Sequence, residues 1–377
     1  MAIYTEKFIF QRSAGPFSGL LGCVLHAMVL GMALRPVAGW GQADWQAGIS
    51  LGLGRSFRHS PAMQFELPAP ALLAQAELMR RRGGPQPWRA ALGYPRSGWA
   101  AGWLSYGNGP VLGFALGLYP LLELPLRERP GGSLWLRAGS GAAWVSRIYH
   151  PLDHPQQTAL GSHLNNYSTL GLWAERPLGA AMQGRIGLQA HHQSNGRLRV
   201  PNLGMNTLLL QAGLRWGAAA ARPAAAPAPH PAGPRPQFLL RAAFGARQRS
   251  YYSPVQGLGL FGAGLRWQAG PLWRPQAGIS LMRDGSVRDD GIPPDTSRTS
   301  LALWGGPELL LGRLGLQGEI HLVLPAPPVP PRVMTRLAAS WYPAMPAGDG
   351  PQPFLSIGLR ARGFTAFCSE IGAGICL

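Results

Sequence analysis

From residue 45 onward the chain alternates. Stretches of about 10–14 residues place apolar side chains at every second position, and Gly, Pro, Asn and Asp separate one stretch from the next. A period of two marks a strand with two unlike faces. Eight such stretches precede residue 217, at 45–57, 70–82, 88–106, 111–126, 133–148, 162–177, 181–194 and 206–216. A second block starts near Phe238 and supplies six to eight more, among them 258–268, 314–324, 333–342, 354–362 and 366–377. Between the blocks lies GAAAARPAAAPAPHPAGPRP at 217–236, a Pro/Ala linker that cannot build a core.

A membrane barrel strand needs about 9–11 residues, apolar toward lipid and small or polar toward the lumen. A soluble β-sandwich shows the same period, so other features must separate the two. Aromatic residues gather near the ends of the stretches: Trp45, Phe57, Trp88, Trp103, Tyr106, Tyr119, Trp144, Tyr149, Trp173 and Trp216. Interfacial girdles have that distribution. The last stretch runs to the final residue. Phe367, Ser369, Ile371, Ala373, Ile375 and Leu377 share one mostly apolar face, opposite Cys368, Glu370, Gly372, Gly374 and Cys376. This resembles the terminal strand of outer-membrane barrels, except that it ends in Leu rather than an aromatic residue.

Residues 1–43 read as an export signal: Lys7 and Arg12, an apolar run from Phe17 to Leu34, and the small-x-small site Gly41-Gln42-Ala43. A membrane anchor is the alternative, because the run barely reaches spanning length. After Asp44 no apolar run is long enough for a membrane helix. The fold class is therefore all-β, an antiparallel transmembrane barrel of the outer membrane with at least eight strands. The block 237–377 would raise the number to 14–16 or close separately. The expected organisation is a signal at 1–43, a barrel region at 44–216, the linker at 217–236 and a second strand block at 237–377.

Composition narrows the partners. The chain has 377 residues, with 34 Lys+Arg against 16 Asp+Glu, a formal charge of +18, and Lys7 is the one lysine. Only 13% of residues are charged, too few for a coiled coil. Gly and Pro, 52 and 37, lack a G-X-Y period and exclude collagen. An Arg excess suits a phosphate-rich partner, though GC-rich coding also favours Arg. The Arg residues are scattered along alternating stretches rather than clustered, which disfavours nucleic acid. Cys368 and Cys376, eight residues apart on one strand, are about 26 Å from each other, beyond disulfide reach. No metal-ligand spacing and no cofactor fingerprint is present. Gly48-Ile49-Ser50-Leu51-Gly52 fits G-x-S-x-G but sits inside an alternating strand, not at a strand–turn–helix elbow.

Candidate chemistry concentrates in QAHHQSNGRLRVPNLGMNTLLLQAGLRW at 189–216. Ile186, Leu188 and Ala190 define the apolar face of its strand, and His192 and Ser194 continue it. Two residues apart on one face, their Cα atoms are about 6.6 Å apart, within reach for imidazole to take the hydroxyl proton. His191 has the opposite parity and points to the lumen. Leu208, Leu210, Ala212, Leu214 and Trp216 are the apolar face of the next strand, and Asn206 opens that face. In an antiparallel hairpin Asn206 meets His192. A Ser, a His and an amide therefore gather on the lipid side of a barrel, where polar groups have no other partners. Ser-Asn-Gly is also ordinary turn chemistry.

The string His192-Gln193-Ser194-Asn195-Gly196, with Pro201-Asn202-Leu203-Gly204 and Asn206, resembles the lipid A 3-O-deacylase (PagL-type acyloxyacyl hydrolase) family. The resemblance covers residues 45–216 and is weak over 237–377. It implies an eight-stranded outer-membrane barrel that hydrolyses an ester-linked acyl chain of lipid A, without metal or cofactor. Ser194 would be the nucleophile, His192 the base and Asn206 the orienting group, where the best-known members carry an acid. Asn195, Gly196 and Asn202 would form or support the oxyanion hole, and Arg197 and Arg199 would meet lipid A phosphates. His163 and Asn165 are expected in a polar lumen network. The alternative is a non-enzymatic barrel, porin-like or structural, that retains the motif.

Overall fold

A computed structural model describes residues 45–84, 86–217, 236–285, 299–324, 332–344, 350–363 and 365–377. The expected signal at 1–43 and linker residues 218–235 lie outside them. The described chain forms sixteen antiparallel strands in two closed barrels of eight. The first comprises β1 (Trp45–Phe57), β2 (Ala71–Arg81), β3 (Arg96–Ser105), β4 (Phe114–Arg129), β5 (Gly132–Val145), β6 (Leu164–Pro177), β7 (Met182–Ser194) and β8 (Met205–Trp216). The second comprises β9 (Pro236–Arg247), β10 (Gln256–Trp267), β11 (Trp273–Asp284), β12 (Thr299–Leu311), β13 (Leu314–Leu324), β14 (Arg332–Trp341), β15 (Gln352–Arg362) and β16 (Thr365–Cys376). Strand β1 closes the first barrel against β8, and β9 closes the second against β16. The C-terminal block therefore closes on itself rather than widening one barrel. A strand of 13 residues, such as β7, is about 43 Å long, and at a tilt of roughly 40° it crosses a hydrocarbon layer of about 30 Å.

Alternation decides which side of each strand meets lipid. On β7, Ile186 and Leu188 are exposed while Arg185, Gln189 and His191 are buried. Both lumens are filled by side chains, as expected for eight strands. In the first barrel the half nearest the end of β7 is apolar and aromatic, with Phe65, Leu73, Leu104, Tyr119, Tyr167 and Leu209 packed together. The other half is ionic. Glu77, Glu123 and Glu175 meet Arg96, Arg137, Arg185 and Arg215, all buried. The second barrel repeats the device with Glu308, Glu319 and Glu370 against Arg241, Arg266, Arg336 and Arg360. Buried guanidinium and carboxylate groups survive only in mutual contact. A share of the Arg excess thus lies inside the barrels rather than on a binding surface. Cys368 and Cys376 are free and buried, and Ser50 of the G-x-S-x-G stretch is buried within β1.

Four sequence expectations need correction. Residues 88–106 are not one strand: Pro87–Ala91 form a helical turn, α1, before β3, with Pro at its start, where a missing N–H costs nothing. Residues 109–112 are likewise a helical turn, α2, capped by the Asn108 side chain, ahead of β4. Tyr106, Tyr119 and Trp173 are not girdle residues but fill the lumen, fully buried. Their parity is that of the inward face, which proximity to strand ends concealed. Phe367 also turns inward: the β15–β16 ladder slips at Arg360/Ala361, leaving Phe367 as the extra residue, beneath the guanidinium groups of Arg247 and Arg362.

Candidate active site

The end of β7 carries His192 and Ser194 on the outward stripe that begins with Ile186 and Leu188. His192 is exposed, and Ser194 is 8% exposed. Antiparallel pairing sets His192 opposite Asn206 of β8, and Ser194 opposite Asn166 of β6. His192 Nε2 lies 3.2 Å from Ser194 Oγ, and His192 Nδ1 lies 2.6 Å from Asn206 Oδ1. An amide oxygen only accepts, so His192 carries its proton on Nδ1 and offers a bare Nε2 to the serine hydroxyl. This is the tautomer that a general base needs.

The lumen side of the same strand end is held firmly. Gln193 accepts a hydrogen bond from the buried Tyr106 hydroxyl. His191 is buried, with Nδ1 2.8 Å from the Tyr167 hydroxyl and Nε2 3.1 Å from Gln211 Nε2. His191 and His192 therefore face opposite sides of one strand. Asn165 is buried but donates only to the backbone carbonyls of Ser162 and His163, and His163 is exposed and stacks on Trp144 outside the barrel at 5.7 Å, so neither enters the expected side-chain network of the lumen. His163 precedes the first residue of β6, where alternation no longer fixes direction.

The connection from 195 to 204 folds back over the strand end. The Asn195 backbone N–H donates to Asn202 Oδ1 at 2.9 Å. Its side chain donates to Ser162 Oγ at 2.9 Å and to the Arg199 carbonyl at 3.0 Å. Asn195 is therefore occupied with shaping the connection, while Asn202 has its oxygen engaged and its NH2 left to donate. Gly196 and Gly204 adopt φ of +62° and +79°, backbone that L side chains rarely take. A Cβ at Gly204 would sit 3.0 Å from His192 Cε1.

The second barrel touches this connection. Gln248, just past β9, donates its N–H to the Arg197 carbonyl at 2.9 Å and accepts from Val200 N–H through Oε1 at 2.9 Å. Ser369 Oγ donates to the Gly196 carbonyl at 3.4 Å. Arg197 turns its Nε toward the Gln248 carbonyl, whereas Arg199 is exposed. Sequence reasoning missed His59. Its Nδ1 lies 3.1 Å from Asn206 Nδ2 and its Nε2 lies 2.9 Å from the Leu203 carbonyl. His59 follows β1, and only barrel closure, which pairs Phe57 with Asn206, brings it here. The sequence signal was slight: two residues beyond an outward Phe57.

Below the site lies an apolar belt. Ile186 and Leu188 on β7, Leu208 and Leu210 on β8, and Leu170 and Leu172 on β6 are all exposed. The Ser–His–Asn group thus sits at the rim of a lipid-facing surface, suited to a substrate with its reacting bond between a polar head and an alkyl chain. Among the described residues no cluster of His, Cys, Asp and Glu could hold a metal ion.

Residues 80–215 match the family model described as lipid A 3-O-deacylase (PagL). No curated protein matches the chain. Among solved structures, the outer membrane enzyme PagL aligns at 19% identity over 44% of this chain and 97% of its own, with a TM-score of 0.33. The translocator domain of the autotransporter NalP from Neisseria meningitidis aligns at 6% identity over 95% and 96%, TM-score 0.17. A mutant of Rh. blastica porin aligns at 8% identity over 88% and 98%, TM-score 0.18.

Proposed function

We propose, from the lipid A 3-O-deacylase match over residues 80–215, that the chain is an outer-membrane hydrolase of lipid A and that Ser194 is its nucleophile. The observation that carries the mechanism is the outward-facing Ser194–His192–Asn206 relay at the rim of the apolar belt. A soluble substrate has no use for a nucleophile there. An amphipathic ester does: its acyl chain lies along Leu188 and Leu210, and its sugar and phosphates lie outside the hydrocarbon.

His192 Nε2 takes the Ser194 proton as Oγ attacks the ester carbonyl. The tetrahedral oxyanion is stabilised by the Asn202 NH2 and the Gly196 N–H, since the Asn195 N–H is already spent on Asn202. His192 then gives the proton to the departing sugar oxygen, which breaks the ester C–O bond and leaves the acyl group on Ser194. Water, deprotonated by His192, attacks that second ester and releases the fatty acid. Asn206 orients the imidazole but lends no charge to the imidazolium, so the reaction runs more slowly than with a carboxylate there. Exposed Arg199 is the better placed of the two arginines for a lipid A phosphate, because Arg197 is directed to Gln248.

The test is mass spectrometry of lipid A from cells expressing the wild type or Ser194→Ala. Loss of one ester-linked acyl chain with the wild type and none with the variant is expected. An unchanged acyl pattern in both contradicts the enzyme reading, and equal loss in both moves the nucleophile elsewhere.

A further inference from the structure

We infer that His59 is a positioning residue for the reaction: it holds the Asn206 amide with its oxygen toward His192. The inference rests on the reading of Ser194 and His192 given above. Asn206 lies between two imidazoles, with Oδ1 2.6 Å from His192 Nδ1 and Nδ2 3.1 Å from His59 Nδ1. The other nitrogen of His59 is 2.9 Å from the Leu203 carbonyl. A carbonyl oxygen accepts and never donates, so His59 Nε2 carries the proton and Nδ1 of the neutral ring is an acceptor. An acceptor at that place can bond only the NH2 end of Asn206.

The direction of the amide then follows from hydrogen-bond chemistry alone. The reversed amide would aim an N–H at His192 Nδ1. That favours the tautomer protonated on Nε2, which cannot take a proton from Ser194. A carboxylate at 206 has two equivalent acceptors and cannot be reversed in this sense. An amide can, and so needs a guide on its far side. His59 also joins two parts of the site, because Leu203 follows Asn202 in the connection that carries the oxyanion donor. Strand β1 supplies this ring through its pairing with β8, so closure of the barrel completes the relay Ser194–His192–Asn206–His59.

The test uses the full chain, folded in detergent, and a micellar lipid A substrate. Wild type, His59→Ala, His59→Gln, Asn206→Asp and the double variant His59→Ala/Asn206→Asp are compared, with Ser194→Ala as reference. His59→Ala is expected to lower kcat by at least about tenfold with KM little changed, as for loss of the correct base tautomer. His59→Gln, which can accept from Asn206 and donate to Leu203, recovers most of that loss. In the Asn206→Asp background, removing His59 changes kcat by no more than about twofold, since a carboxylate needs no orientation. Equal losses in both backgrounds mean that His59 merely holds the connection, and no loss in the Asn background means it does nothing; either overturns the inference. If Ser194→Ala still hydrolyses lipid A, the reading of the site falls and this inference falls with it. If Ser194→Ala is inactive and His59→Ala matches wild type, the inference alone fails.

Discussion

The ionic half of the first lumen makes an uneven demand on its members. Three carboxylates, Glu77, Glu123 and Glu175, share four guanidinium groups, so the cluster carries a formal +1 inside the barrel. Arg215 is its hub: Nη2 reaches Glu77 at 2.6 Å and Glu123 at 2.8 Å, while Nη1 reaches Glu175 at 2.7 Å. Arg137 is less well served. It bonds Glu77 at 2.5 Å, but its Nη1 reaches Glu123 only at 3.6 Å, its Nε has no hydrogen-bond partner, and its ring contact with Trp173 is at 5.1 Å. Replacing Arg215 with Met strips bonds from all three carboxylates and should cost about 3–5 kcal/mol, as for breaking a buried pair. Replacing Arg137 with Met loses one strong bond and the longer contact with Glu123, but it removes a buried Nε that has no partner, an arrangement that costs about 1–3 kcal/mol. Its net cost should be at most about 2 kcal/mol. The gap between the two variants is therefore about 2 kcal/mol, roughly 30-fold in the unfolding equilibrium. Urea titration of the full chain in detergent, read by the gel mobility of folded against unfolded forms, measures it. If Arg137→Met is as destabilising as Arg215→Met, the reasoning from hydrogen-bond satisfaction is wrong.

Three further outcomes follow from the geometry. Gly204→Ala adds a methyl 3.0 Å from His192 Cε1 at a φ of +79°, and should reduce kcat by at least about tenfold while the barrel stays folded by gel mobility. His191→Gln should keep hydrolysis within a few-fold of wild type, because that ring faces Tyr167 and Gln211 in the lumen; a loss as large as that of His192→Ala would reverse the assignment of the base. In planar bilayers the protein should show no steady conductance, since buried side chains fill both lumens; open-channel currents would favour a porin-like role.

Much of the site can be read along one strand, and what cannot depends on closure. The parity of Ile186, Leu188, His192 and Ser194 is a local property, and the hairpin to Asn206 needs only a short connection. His59 is 147 residues from Asn206 in the chain and meets it only because β1 pairs with β8, which no periodicity reveals. In the second block alternation marks β9, β10 and β13–β16 but does not single out β11 or β12, and whether the block widens one barrel or closes a second depends on which edges pair, again a non-local matter. Position near a strand end misleads for Tyr119 and Trp173, because aromatic side chains fill a narrow lumen as readily as they line an interface, and parity is the better guide. The roles of Asn195 and Asn202 became distinct only once the connection's hydrogen bonds were known: the former shapes the turn, and the latter retains an NH2 to donate.

The most direct measurement is peptide mapping of the purified protein after reaction with a serine-directed fluorophosphonate, with fatty-acid release from lipid A followed in parallel. The account predicts a single adduct, on Ser194, formed as release is lost, and no adduct in His192→Ala. An adduct on another serine, or full release from protein already modified at Ser194, would contradict it.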